Sequence, residues 1–218
     1  MERPTQASED YLKAIYVLQQ EQGERVSTSA IAERLAVSAP AATTMIKKLA
    51  GLGLVRHERY RGVSLTEQGE RAAVEVIRHH RLLEQFLAER LGVPIDDVHE
   101  EAERLEHVLS EELEERIDRE LGFPTHDPHG DPIPAADLSV AETPLRTLDE
   151  LPPGEEATIR RVPDRDRKLL GYLSSVALLP GASVKVLSAA PFGGPLVVLA
   201  GGAELAISRD LAALIGIG

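Results

Sequence analysis

Residues 27–66 read STSAIAERLAVSAPAATTMIKKLAGLGLVRHERYRGVSLT, and the order of signals in them decides the fold of the amino-terminal third. Ser27 or Thr28 can cap a short helix whose apolar stripe is Ile31, Ala32 and Leu35. Ala36-Val37-Ser38 breaks that pattern, and Pro40 then suits the first turn of a second helix, where its missing N–H costs nothing. Ala42, Met45, Ile46 and Leu49 give the second helix a buried face, and Gly51 and Gly53 mark its end. Strands are expected over 54–58 and 63–66, joined by the turn Tyr60-Arg61-Gly62. Helix, tight turn, helix and hairpin together make a winged helix-turn-helix. A helix from Ser8 to Gly23, with Tyr11, Leu12, Ile15 and Leu18 at helical spacing, precedes it.

Such a module points to DNA, because the second helix of the pair is free to enter the major groove. Its early residues Ser38, Pro40, Ala41, Thr43 and Thr44 are small hydroxyls and methyls, suited to thymine methyls and phosphate oxygens rather than to bidentate base reading. Lys47, Lys48, Arg56, Arg59 and Arg61 are placed for phosphates, which set affinity and register. Net charge gives the same reading once divided along the chain. The total is −12, yet residues 25–66 carry seven basic side chains against two acidic ones. Residues 74–142 carry six basic against nineteen acidic, so a basic head adjoins a strongly acidic middle.

The middle reads as helices with apolar stripes too wide for their own core: one long helix from about Thr66 to Leu91, another after Asp97, a third near Ser110. Burying those stripes against a second copy would give the two-fold symmetry a palindromic operator requires. On one continuous helix, His99, Glu103, Glu106 and His107 would share a face about 100° wide. His80 and Glu84, one turn apart, point the same way on the long helix. Imidazoles and carboxylates converging like this suit a divalent cation, although an acidic helix with solvated glutamates would show the same spacing. The chain has no cysteine, so no thiolate takes part and no disulfide framework exists.

From about Leu148 the pattern changes to short alternating segments with Pro-Gly turns, a small β domain. The fold class is therefore mainly α with a small β domain. The expected organisation is a DNA-binding domain over 1–73, a helical domain over 74–141, a linker over 142–150 and the β domain over 151–218. A charged amino terminus without an apolar signal core, and the lack of a long apolar run, imply a cytoplasmic protein with no membrane partner.

The residues Ser8-Glu9-Asp10-Tyr11-Leu12, Ser38-Ala39-Pro40, His80-Arg81-Leu82-Leu83-Glu84, the run from Val98 to Val108 and Pro128-His129-Gly130-Asp131-Pro132 together resemble the diphtheria-toxin-repressor-like metalloregulators, in particular their manganese-responsive branch. The resemblance covers nearly the whole chain. It implies a repressor of metal uptake that binds DNA as a homodimer and ends in an SH3-like (FeoA-like) barrel. It also implies one metal centre from Asp10, Glu103, Glu106 and His107, and the core of another from His80, Glu84 and His99. Iron-responsive members carry Met and Cys at the positions of Asp10 and Glu103, so carboxylates there favour Mn²⁺, with Fe²⁺ the alternative. Lys13 stands where some manganese-responsive members have a further Glu. Arg165 and Lys168 align with positions from which some relatives lend ligands, and neither can ligate; Asp164 or Asp166 could substitute, although solvated loop acids are the simpler reading of both. Two rival readings are a metal-independent regulator that senses an organic ligand, and a metallohydrolase using Glu100 as base. The first reading predicts no enzyme activity and no small-molecule substrate.

Overall fold

The structure, a computed structural model, describes residues 5–58, 61–141, 144–164 and 166–218. They divide into two units: residues up to His79 with 106–109 and 134–139 form the first, and 80–105, 110–133 and 140–218 the second. In the first unit α1 (Gln6–Gln22), α2 (Thr28–Arg34) and α3 (Ala39–Gly51) are followed by the antiparallel strands β1 (Val55–Glu58) and β2 (Gly62–Leu65) and by the first half of α4 (Glu67–Leu91). Ser27 and Ser38 cap α2 and α3, accepting from Ala30 N and Ala41 N. Leu12, Ile15, Ile31, Ile46 and Leu49 are fully buried and lock the three helices together. Val26 and Val63 exchange two backbone hydrogen bonds of 2.9 Å, stitching the wing to the chain before α2.

In the second unit α4 continues, followed by α5 (Val98–Leu105) and α6 (Glu111–Glu120), the latter capped by Ser110. The carboxyl-terminal part is one antiparallel sheet in the order β3-β8-β4-β5-β6-β7. Its strands are β3 (Arg146–Thr147), β4 (Glu156–Arg161), β5 (Ser183–Ala189), β6 (Leu196–Ala200), β7 (Ala203–Ile207) and β8 (Gly216–Ile217). Bulges at Ile159/Arg161 and Val186/Ser188 bend it around Ile159, Leu170, Leu173, Val184, Leu196 and Val198. The helix α7 (Arg167–Ser175) supplies Leu170 and Leu173. Arg146 and Thr147 lie in this sheet, paired with Ile217 and Gly216, so ordered pairing begins inside the stretch expected as linker.

One sequence expectation is corrected. The helix carrying His99 and Glu103 stops at Leu105, and Glu106 and His107 sit in the turn beyond it. The four residues therefore do not share one helical face. The backbone carbonyl of Glu106 instead accepts the ring N–H of His79 at 3.1 Å, which satisfies it outside a helix.

Candidate metal centres and nucleic-acid face

Among the described residues, three groups of side chains that could hold a metal ion come together. In the first unit Asp10 on α1 meets Glu106 and His107 from the turn. His107 Nε2 lies 2.8 Å from Asp10 Oδ1 and 3.3 Å from Glu106 Oε1. Nδ1 of the same ring is 2.7 Å from Glu9 Oε2. The Glu106 carboxylate is fully buried and accepts from Lys13 Nζ at 2.8 and 3.0 Å. Thus Lys13, the departure from the manganese-responsive pattern, brings a positive charge onto a carboxylate of this group.

In the second unit His80, His99 and Glu103 form a second group. His80 Nε2, His99 Nδ1 and Glu84 Oε1 make a triangle with edges of 2.9, 3.1 and 3.1 Å. Those edges match the roughly 3 Å separation of adjacent donors around an octahedral ion with bonds of about 2.1 Å. Glu103 stands 3.9 Å from His99 Nε2 and is grouped with the two histidines, whereas the family resemblance assigned it to the centre of Asp10.

The third group, Glu84, Asp127 and His129, was not expected from sequence. His129 Nε2–H donates to Ile95 O at 3.1 Å, so Nδ1 faces Glu84 Oε2 at 3.6 Å, too far for a hydrogen bond. Asp127 Oδ1 accepts from the backbone N–H of His129 and Asp131, closing the loop that carries all three residues. The sequence signal was the alternating Asp127, His129 and Asp131, which periodicity methods pass over because the residues lie in a loop.

Burial pushes the Glu84 carboxyl up, but the imidazoles of His80, His129 and His99 outweigh it and hold the group well below the carboxylate range. Asp127 moves the other way, driven up by burial and then by the charges of Glu84 and Asp131. Burial disfavours the His129 cation, yet the adjoining Glu84 and Asp127 carboxylates raise its pKa to about 9. Three buried atoms, His107 Nε2, Glu84 Oε2 and His129 Nδ1, have no hydrogen-bond partner among the described residues. Every one belongs to one of the three groups. Orphaned donor atoms that converge this way are what a bound cation would satisfy, and the residues present fit one.

The other candidates resolve differently. Asp166 caps α7, accepting from Lys168 N and Leu169 N, and so is committed to the helix. Arg165 lies outside the described residues, and Lys168 is exposed. Glu100 is exposed and stands 3.8 Å from Arg104, which leaves the hydrolase reading without a sheltered base.

Ser38, Pro40, Ala41, Thr44, Lys47 and Lys48 are exposed along α3, and Thr43 is half-buried. The hydroxyls of Thr43 and Thr44 donate to Ala39 O and Pro40 O inside the helix, and Ser38 is its cap. In the free protein the Thr43 and Thr44 hydroxyls are thus engaged within the helix while their methyls face outward, and Ser38, which accepts as a cap, keeps its own O–H. Arg25 and Arg61 share Glu58, so part of the basic excess is neutralised, while Arg59 lies outside the described residues.

A winged helix-turn-helix with an exposed basic recognition helix, joined to buried His/carboxylate clusters, defines a metal-responsive DNA-binding protein. Comparison with known proteins agrees along the chain. Residues 5–63 match the iron dependent repressor N-terminal DNA binding domain, 66–135 the iron dependent repressor metal binding and dimerisation domain, and 146–217 the FeoA domain. The iron-dependent repressor IdeR of Mycobacterium tuberculosis (strain ATCC 25618 / H37Rv) is 35% identical over 217 residues, 94% of each chain. The diphtheria toxin repressor of Corynebacterium efficiens is 33% identical over 216 residues, 94% of this chain and 92% of that one. A manganese-dependent transcriptional repressor solved with manganese superimposes with a TM-score of 0.85 at 42% identity, covering 96% of this chain and 98% of that one. ScaR with bound Zn²⁺ gives 0.80 at 33% identity, covering 99% of both. The chain belongs to the iron-dependent repressor family, and it is a metal-dependent transcriptional repressor.

Proposed function

We propose that this repressor responds to Mn²⁺, with Fe²⁺ as the alternative, and controls metal-ion uptake by binding a palindromic operator as a homodimer in the cytoplasm. Asp10, Glu106 and His107 would hold one ion, and His80, Glu84, His99 and Glu103 another, with Asp127 and His129 beside Glu84. Such an ion supplies concentrated positive charge and open coordination positions. The observation that carries the reading is the buried, unpartnered His107 Nε2 between Asp10 and Glu106. Only nitrogen and oxygen donors are present, which suits Mn²⁺ over softer cations. The relatives divide, since the curated IdeR of Mycobacterium tuberculosis is named iron-dependent and a solved relative manganese-dependent. Nothing in these groups calls for catalysis, and no helix among the described residues is long and apolar enough to cross a membrane. Leu91, Leu105, Leu113 and Phe123 in the helical middle are large, apolar and exposed, which supports pairing of two copies there.

Without a cation, the carboxylates of Asp10 and Glu106 repel each other, and Lys13 offsets only part of that charge. Drawing Asp10 toward His107 restrains α1, and with it the recognition helix packed on the same core. Operator DNA and metal must then strengthen each other's binding reciprocally. The test is an operator shift assay run with Mn²⁺, Fe²⁺, Zn²⁺ and chelator. Tightest binding with Mn²⁺ is expected, and equal binding with Mn²⁺ and chelator would refute the proposal.

Two further outcomes are expected. Lys47→Ala and Lys48→Ala should each weaken binding to every duplex sequence alike and lower the slope of log affinity against log salt by about one. Measuring affinity across a salt series checks this. At the third group, the raised pKa of His129 means that its proton supports the metal-free fold below the ordinary histidine value of about 6.5. That support is lost as pH rises through about 9. A cation needs the neutral ring, so its affinity there should climb toward a plateau above about 9, with a proton released on binding. Calorimetry in buffers of different ionisation heat reads that proton, and His129→Ala should remove it.

A further inference from the structure

Glu9 precedes the ligand Asp10 on α1, and the metal reading leaves it without a task. Its Oε2 lies 2.7 Å from His107 Nδ1, and the two side chains are 13% and 4% exposed. Successive helical residues point about 100° apart, so Glu9 and Asp10 reach opposite nitrogens of a single ring. A carboxylate only accepts, so the Glu9 contact is a hydrogen bond when Nδ1 carries the hydrogen. In a neutral imidazole the other nitrogen is then a bare lone pair, and that nitrogen is the unpartnered Nε2 facing Asp10 and Glu106. With a cation on Nε2 the hydrogen of the ring belongs on Nδ1, where Glu9 accepts it; without one, Asp10 faces Nε2 at 2.8 Å and competes for the same hydrogen.

We propose that Glu9 is a positioning residue: it fixes His107 as the Nδ1–H tautomer and so presents Nε2 to a divalent cation. The inference rests on His107 being a ligand. A carboxylate behind a metal-bound histidine typically contributes a factor of 10 to 100 in affinity.

Nitrogen NMR of the wild-type protein loaded with diamagnetic Zn²⁺ tests the tautomer directly. Nδ1–H is expected at His107, and Nε2–H as the major form would overturn the proposal. Mn²⁺ titration of full-length Glu9→Ala should show binding at this centre weakened roughly 10- to 100-fold, with Glu9→Gln, whose amide oxygen still accepts, within about tenfold of wild type. Loss in Glu9→Gln as large as in Glu9→Ala would overturn the hydrogen-bond role. Should Glu9→Ala fail to fold, the tautomer and the absolute affinity of Glu9→Gln decide the matter. His107→Ala separates the two readings. If it binds Mn²⁺ as wild type does, His107 is no ligand; if it loses the ion while Glu9→Ala does not, only the role of Glu9 falls.

Discussion

Alanine at His107 is expected to abolish metal-stimulated operator binding while leaving the fold in place. The ring is the single nitrogen donor of its group, with Asp10 at 2.8 Å and Glu106 at 3.3 Å from the same atom. Removing it leaves two carboxylates from different segments facing each other, with Lys13 as the nearby cation. Couplings between a metal and a second ligand commonly amount to about 5- to 150-fold, and that enhancement should shrink to less than about twofold. Affinity without metal should not change, because the contacts of the His107 ring run to Glu9 and Asp10 on α1 and to Glu106. Operator shifts with Mn²⁺ and with chelator measure both quantities. His126, exposed and hydrogen-bonded to the neighbouring Thr125, is the control: its alanine variant should respond to metal as wild type does.

The second large effect is expected at Gly130. Its backbone is left-handed, φ +88°, and an added Cβ would stand 1.8 Å from Arg160 O and 2.9 Å from Arg161 Cα. Both are backbone atoms of β4, so nothing flexible can give way. Beside it, His129 O accepts from Val162 N at 2.9 Å, which holds the loop of the third group against the strand. Gly130→Ala should therefore lift the loop, draw His129 away from Glu84 and destabilise the unit by about 3 kcal/mol or more. Gly154 is the comparison: its φ is +93°, but nothing lies within 4 Å of an added Cβ. Alanine there should cost only the conformational penalty, about 1 kcal/mol. Thermal unfolding of the two variants separates clash from backbone strain. Mn²⁺ titration of Gly130→Ala should show the third group weakened, with binding at Asp10, Glu106 and His107 retained.

Local chemistry made much of this fold legible. Ser27, Ser38 and Ser110 each announced a helix start, and each accepts the backbone N–H three residues on. The break after Leu105 was hidden for a definite reason. Apolar spacing continues through Leu105, Val108 and Leu109, so the pattern alone extends the helix. What ends it comes from far along the chain: His79 takes the Glu106 carbonyl, Lys13 reaches Glu106 across 93 residues and Glu9 reaches His107 across 98. No window of local sequence contains those partners. Asp10, His80, Glu84, His99, Glu106 and His107 were nonetheless named in advance, because residue type survives an error in backbone geometry. Asp127 and His129 were not among the candidates because a loop held by its own backbone hydrogen bonds has no period to read. The threonines of α3 show a contrast of another kind. Their composition suggested contacts outward, and their hydroxyls turned inward to their own helix.

The donor groups of this protein contain imidazole nitrogen and carboxylate oxygen alone. Peroxide attacks cation sites chiefly through thiolate sulfur, carrying it stepwise to acids that no longer ligate. Donor groups without that atom offer peroxide no thiolate to oxidise, so that route to losing the cation is closed to this protein.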